Sequence, residues 1–249
     1  MESTVLLEHN HYTIYGKLYQ QDRQKRPLVI FCHGLGDTQK TGQPYAEALS
    51  RAGFAVLTFD FCGGSPNSIS EGSPYRMSVR TEMLDLEAVI GQMKDRPDVD
   101  VTNISLIGES QGALVAEMYA VRHPGTVKRI VFLYPGFSIP DMIHHMFRNR
   151  RQIGEAFIMK WMPVGRIYAE DVWNLHPYEE MRKLTCPVLL IHGTMDDVVD
   201  IRYSKRALLA LPRAKMDVME GAGHGFTGFT RQEAIDEIVH FLKDDRTAG

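Results

Sequence analysis

A serine flanked by glycines, Gly108-Glu109-Ser110-Gln111-Gly112, stands where the apolar run Ile104-Ser105-Leu106-Ile107 passes at once into the small-residue segment Ala113-Leu114-Val115-Ala116. Strand, sharp turn and helix are the context in which G-x-S-x-G makes a nucleophile elbow. The serine then occupies the tip of a strained turn, and a glycine on either side of it keeps Cβ atoms out of a crowded approach. The N–H of Gln111, opening the helix, would face negative charge forming on a substrate oxygen. So short a pattern also arises by chance, and it needs partners elsewhere in the chain.

A serine nucleophile needs a base to take its proton, and the base needs an anion to hold its tautomer and stabilise the imidazolium. Downstream segments offer both, in the order serine, acid, histidine that suits this strand–turn–helix context. His192-Gly193-Thr194-Met195-Asp196-Asp197 puts two adjacent acids in the loop after an apolar run. Glu220-Gly221-Ala222-Gly223-His224 puts a histidine in a glycine-rich loop after the last such run. Spacing alone leaves Asp196 and Asp197 both open as the acid. The turn His33-Gly34-Leu35 offers a second oxyanion donor, the Leu35 N–H, beside that of Gln111. His33 and His192 each precede a glycine at a strand end and are read as holding loop backbone. No histidine or cysteine has metal-ligand spacing, so neither a metal nor a cofactor is expected.

These loops must be presented by something rigid. The runs at 27–32, 54–61, 104–107, 129–134 and 187–193 are continuous and apolar, as strands covered on both faces are, and 215–220 reads as a last strand. Helical patterns fall between them: Tyr45 to Ala52, a helix capped by Ser78, one begun at Asp200, and a terminal helix with Thr230 and Glu233 as a capping-box pair. The alternation predicts an α/β fold, a mostly parallel sheet with helices on both faces. The alternating run Tyr12–Tyr19, with Val5-Leu6-Leu7 before it, predicts an antiparallel start at one edge. Residues 137–184 break the rhythm. They show no buried strand but a stock of Met142, Met146, Phe147, Phe157, Met159, Trp161, Met162, Tyr168, Trp173 and Tyr178. Since ligands of such sheets bind at strand carboxyl ends, this insertion is placed to roof the site as a helical cap.

Composition narrows the class. At 249 residues the chain suits one large domain spanning 1–249. A net charge of -3 advertises neither nucleic acid nor an anionic membrane as partner. No apolar run is long enough to span a bilayer, and Met1–Glu8 carries no basic n-region. The cysteines Cys32, Cys62 and Cys186 are odd in number, which suits thiols in a reducing, cytoplasmic compartment. The chain leaves a homo-oligomer open.

With His33-Gly34-Leu35-Gly36, Gly108-Glu109-Ser110-Gln111-Gly112, His192-Gly193-Thr194-Met195-Asp196 and Gly221-Ala222-Gly223-His224 in place, the chain resembles the α/β-hydrolase-fold serine esterases over nearly its whole length. Within them it is most similar to bacterial cinnamoyl (feruloyl) esterases with a short cap. The resemblance implies an ester hydrolase working through Ser110, His224 and Asp196, since the family's acid stands four residues after the histidine of the His-Gly motif. It implies Leu35 and Gln111 as oxyanion donors, a small-molecule ester substrate of the hydroxycinnamate class, and Tyr168 as the cap tyrosine that contacts the phenolic ring. The family's Arg-Gly-His-Gly is replaced by Phe61-Cys62-Gly63-Gly64-Ser65-Pro66, and the cap before Gly165 aligns poorly, so substrate identity does not transfer with the triad. The same triad would also serve an acyl-peptide hydrolase or thioesterase. A ligand-binding hydrolase-fold protein without turnover is the remaining alternative.

Overall fold

The apolar runs become strands, and their side chains divide between two cores. In the computed structural model, which describes residues 1–244, the chain forms β1 (Glu2–His9), β2 (Tyr12–Tyr19), β3 (Arg26–Cys32), β4 (Ala55–Phe59), β5 (Val99–Glu109) and β6 (Val127–Leu133). The hairpin strands β7 (Ala156–Met159) and β8 (Met162–Gly165) follow, then β9 (Val188–Gly193) and β10 (Ala214–Met219). All but the hairpin share one sheet, in the order β1-β2-β4-β3-β5-β6-β9-β10. The pairs β1–β2 and β2–β4 are antiparallel and the other neighbours parallel, so the antiparallel edge lies where the alternating start predicts it.

Strand periodicity sorts the residues. Leu28, Ile30, Leu106, Ile130, Phe132 and Leu190 pack on one face with α2 (Val79–Met93), α3 (Gln111–Arg122) and the insertion. Val29, Phe31, Ile107, Val131, Leu133 and Ile191 pack on the other, against α1 (Gln39–Arg51) and α8 (Gly228–Lys243). From β3 the chain passes through α1 to β4 on one side, then through α2 to β5 on the other. The strand order therefore reverses between β3 and β5, which leaves a crevice at their carboxyl ends.

Two helix starts differ from the sequence reading. The first helix begins at Gln39 rather than Tyr45, with Thr38 accepting from the Lys40 N–H at 3.4 Å. Gly42 and Pro44 disguise it: a Cβ on Gly42 would lie 2.6 Å from the Phe31 ring, so the glycine is there for close helix–sheet contact. The last helix begins at Gly228, and its box joins Thr227 to Thr230, whose hydroxyl accepts from the Thr227 N–H at 3.3 Å. Glu233 takes no part in that pairing.

The insertion is mixed, not purely helical. It contains α4 (Ile139–Met146), the β7–β8 hairpin, α5 (Arg166–Val172) and α6 (Pro177–Glu180), after which the chain returns to β9 and α7 (Arg202–Ala210). Pro163 hid the hairpin, since a residue without an N–H sits only on edge strands; here it pairs with Ile158 in a two-stranded ribbon. Residues 245–249, the end of the single domain expected over 1–249, lie outside the described residues.

Two glycine substitutions test this packing. A Cβ on Gly112 would stand 2.2 Å from the Cys32 carbonyl oxygen, whereas one on Gly91 in α2 meets nothing within 4 Å. Urea unfolding should show Gly112→Ala destabilised by roughly 2 kcal/mol or more, and Gly91→Ala stabilised by about 0.5–1 kcal/mol. Equal effects at the two positions would contradict the packing of α3 on the β3 turn.

Candidate active site

Ser110 links β5 to α3 at φ 47° and ψ -118°, a left-handed conformation costly for a residue with a side chain. Backbone bonds hold it there. Its N–H donates to the Leu133 carbonyl at 3.0 Å, and its own carbonyl accepts from Gly136 at 2.7 Å and Ala113 at 3.1 Å. The turn is thus fixed by β6 and by the first turn of α3 together.

The loops after β9 and β10 meet the serine from the other side. Ser110 Oγ lies 3.0 Å from His224 Nε2, and His224 Nδ1 lies 2.8 Å from Asp196 Oδ2. The Asp196 side chain is fully enclosed. Its Oδ1 accepts from the Val198 and Val199 N–H groups at 2.9 and 2.8 Å. Burial alone would raise this carboxyl, but bonds from His192, His224 and the Val199 N–H outweigh it and hold Asp196 well below the usual carboxylate range. Asp197 is exposed, so of the two adjacent acids it is Asp196 that meets the imidazole. With a carboxylate on Nδ1, the Nδ1 proton is fixed and Nε2 is left to accept from the serine hydroxyl.

The Leu35 N–H is hydrogen-bonded to no acceptor among the described residues. That of Gln111, the first residue of α3, has no acceptor within its helix. Both lie in turns that pack on Ser110. The β3 turn is braced by the loop after β4: Gly36 N–H donates to the Gly64 carbonyl at 2.8 Å, and the Ser65 hydroxyl donates to the Gly36 carbonyl at 2.8 Å. Through Gly64 and Ser65, the segment 61–66 that departs from the family pattern is therefore a brace for this turn.

His33 and His192 are structural, as their positions before glycines imply. His33 Nδ1 lies 2.8 Å from the Gly34 carbonyl, and its Nε2 accepts from the Phe61 N–H at 3.0 Å. His192 Nδ1 lies 2.7 Å from Ser204 Oγ, while Nε2 lies between the Val199 carbonyl at 2.9 Å and Asp196 Oδ2 at 3.1 Å. His192 thus supports the acid as well as the backbone.

Sequence reasoning missed Glu109 and Tyr134. Glu109 is buried at the end of β5, where Oε1 accepts from the Gly34 N–H at 3.3 Å and Oε2 from the Tyr134 hydroxyl at 2.8 Å. Tyr134 packs edge-on against the His224 ring, 4.8 Å between centroids. One carboxyl thereby ties the Leu35 turn to the residue that steadies the imidazole. A charged residue inside the buried end of an apolar strand was the available signal.

Tyr168 is placed differently from the expectation. Its side chain is fully buried, and its hydroxyl donates to Gln111 Oε1 at 2.6 Å instead of standing open to a ligand. Gln111 Nε2 in turn donates to Glu82 Oε2 at 2.8 Å. Cap, elbow and α2 are linked through the one Gln111 side chain. The hairpin tip closes the other side: Trp161 lies against Gly36, and Lys160 Nζ reaches the Val198 carbonyl at 3.4 Å.

Burial pushes the Glu109 carboxyl up from 4.5 to about 7, with Asp37 adding to the rise and the Tyr134 bond opposing it. The folded protein therefore binds this proton more tightly than the unfolded chain does, and stability falls as pH rises between 4.5 and about 7. Glu109→Gln should remove that part of the fall, up to roughly 3 kcal/mol by pH 8. Urea midpoints from acid to mildly basic pH would show it as a flatter profile; parallel profiles for variant and wild type would contradict the assignment.

The model of the family described as "Serine aminopeptidase, S33" matches residues 23–173. The uncharacterized protein Rv2307c of Mycobacterium tuberculosis is 29% identical over 225 residues, covering 90% of this chain and 72% of that protein. The proline iminopeptidase of Lactobacillus helveticus is 22% identical over 286 residues, covering 94% of each. Est1E from Butyrivibrio proteoclasticus, solved with ferulic acid bound, superposes with a TM-score of 0.86 at 20% identity, covering 96% of this chain and 98% of that one. The mostly parallel central sheet flanked by helices is that of the α/β-hydrolase fold. The chain belongs to the serine aminopeptidase S33 family and is an α/β-hydrolase.

Proposed function

We propose that the protein is a carboxylic ester hydrolase in which Ser110 forms an acyl-enzyme. The observation that carries this reading is the unbroken chain of bonds from Ser110 Oγ to His224 at 3.0 Å and from His224 to Asp196 at 2.8 Å, at the tip of a strained elbow. His224 takes the hydroxyl proton as Oγ attacks the ester carbonyl, then gives it to the leaving alcohol. Asp196 orients the ring and stabilises the imidazolium. The Leu35 and Gln111 N–H groups receive the developing oxyanion, and water activated by His224 releases the acid. We assign the reaction to a reducing, cytoplasmic setting on the ground of the free thiols Cys32, Cys62 and Cys186.

Hydroxycinnamate esters are the proposed substrate class, supported by the likeness to Est1E, which was solved with ferulic acid. A second reading, amide hydrolysis at a peptide N-terminus, is favoured by the family description and by the proline iminopeptidase relative. Both use one acyl chemistry and differ in the group the cap admits. Relative kcat/KM on methyl ferulate, short-chain p-nitrophenyl esters and proline p-nitroanilide separates them; we expect the esters to dominate.

A fluorophosphonate probe should label wild type and not Ser110→Ala; equal labelling would sink the mechanism. His224→Ala should cost nearly as much kcat as Ser110→Ala, on the order of 10^6-fold. Asp196→Asn should fall by about 10^4-fold, while Asp197→Asn stays near wild type. Because the Tyr168 hydroxyl is spent on Gln111, Tyr168→Phe should lower kcat by a similar factor on every ester. A loss confined to KM for feruloyl esters would instead restore Tyr168 as a direct substrate contact.

A further inference from the structure

A cavity of about 420 Å³ opens between α2, α3 and α6, and none of Ser110, Asp196 and His224 lines it. Its floor is apolar: Met83, Leu114, Met118 and Val121. Within that floor lies the carboxyl of Glu117, a residue 1% exposed whose Oε1 has no hydrogen-bond partner. A carboxyl buried without a partner costs several kcal/mol unless a proton or a cation neutralises it. The cavity volume falls in the range of small-molecule sites, and paired methionines suit an adaptable hydrocarbon wall.

The surrounding charges indicate which cation. The groups that line the cavity with Glu117 are Arg80 from α2, Arg122 from α3, and His176, Glu180 and Lys183 from α6 and its flanks. Of the three cations, Lys183 is bonded to Glu180 at 2.7 Å and Arg80 pairs with Asp171 at 3.7 Å, so these two are already matched by acids. Arg122 is exposed. The acid on the apolar floor is left unmatched. Burial, with Glu180 adding to it and Lys183 partly opposing, pushes the Glu117 carboxyl well above its ordinary range, which favours its protonated form.

We propose that this cavity binds an amphipathic primary amine, its ammonium donating to the Glu117 carboxylate and its hydrocarbon chain lying along Met83, Leu114, Met118 and Val121. On binding, the Glu117 proton passes to solvent and the ammonium supplies the compensating charge; no covalent bond changes. The site is separate from the proposed esterase chemistry and does not depend on it.

The test is titration calorimetry with n-hexylammonium chloride and with sodium hexanoate, on wild type, Glu117→Gln and Glu117→Met. Wild type should bind hexylammonium with proton release, seen as heats that vary with buffer ionisation enthalpy, and bind more tightly as the pH is raised. Both variants should lose affinity by about tenfold or more. Glu117→Met, which replaces an uncompensated acid by an apolar chain, should also unfold at a higher temperature. Absence of wild-type binding, unchanged binding in Glu117→Gln, or hexanoate binding as tightly as the amine would each overturn the proposal. Serine labelling by a fluorophosphonate should be the same in all three proteins.

Discussion

The left-handed turn at Ser110 is the constraint on which the rest of the site depends. Such a conformation costs on the order of 1–3 kcal/mol. The bonds to Leu133, Gly136 and Ala113 contribute about 0.5–1.5 kcal/mol each, enough to hold it. Because those partners belong to β6, to the turn that follows it and to α3, the serine keeps its position only while all of them are folded. The same clamp aims the first N–H of α3 outward, so strain at Ser110 and an available donor at Gln111 have one cause.

Around the elbow, polar groups that would be costly singly are made into links. Glu109 joins the β3 turn to Tyr134, and Tyr134 packs on His224. His192 supports the acid loop from beneath while reaching Asp196. Gln111 ties the cap to the elbow by accepting from Tyr168 and donating to Glu82, whose carboxyl burial pushes well up despite the Gln111 bond. Half-satisfied buried networks are destabilising, but connected ones rigidify. Here the connections run to the groups proposed to react, and Glu117 alone on α3 is left outside them.

The sequence made the sheet legible because each parallel strand is apolar on both faces, and periodicity needs no tertiary information to read that. The positions of Ser110, Asp196 and His224 were legible for a related reason: each lies in the turn or loop that leaves a strand end, so chain order maps onto the crevice. Helix starts were less so, since Gly42 and Pro44 are breakers locally, and the glycine makes sense only once Phe31 and Thr58 of the sheet are packed against it. The cap was opaque. Its hairpin carries a proline that only a two-stranded ribbon accepts, and the partner of the Tyr168 hydroxyl depends on a contact across 57 positions of chain. Glu109 was hidden inside the motif that announced its neighbour, because a carboxylate at that position has a role only once Gly34 and Tyr134 are brought to it.

The central claim is that acyl transfer passes through a covalent bond to Ser110. The most direct measurement is rapid-mixing turnover of a p-nitrophenyl ester, followed by acid quench and mass analysis of the peptides. A burst of p-nitrophenol close to one equivalent per chain is expected, with the acyl mass found on the peptide bearing Ser110. Linear turnover with no burst and no adduct, or an adduct on another residue, would contradict it.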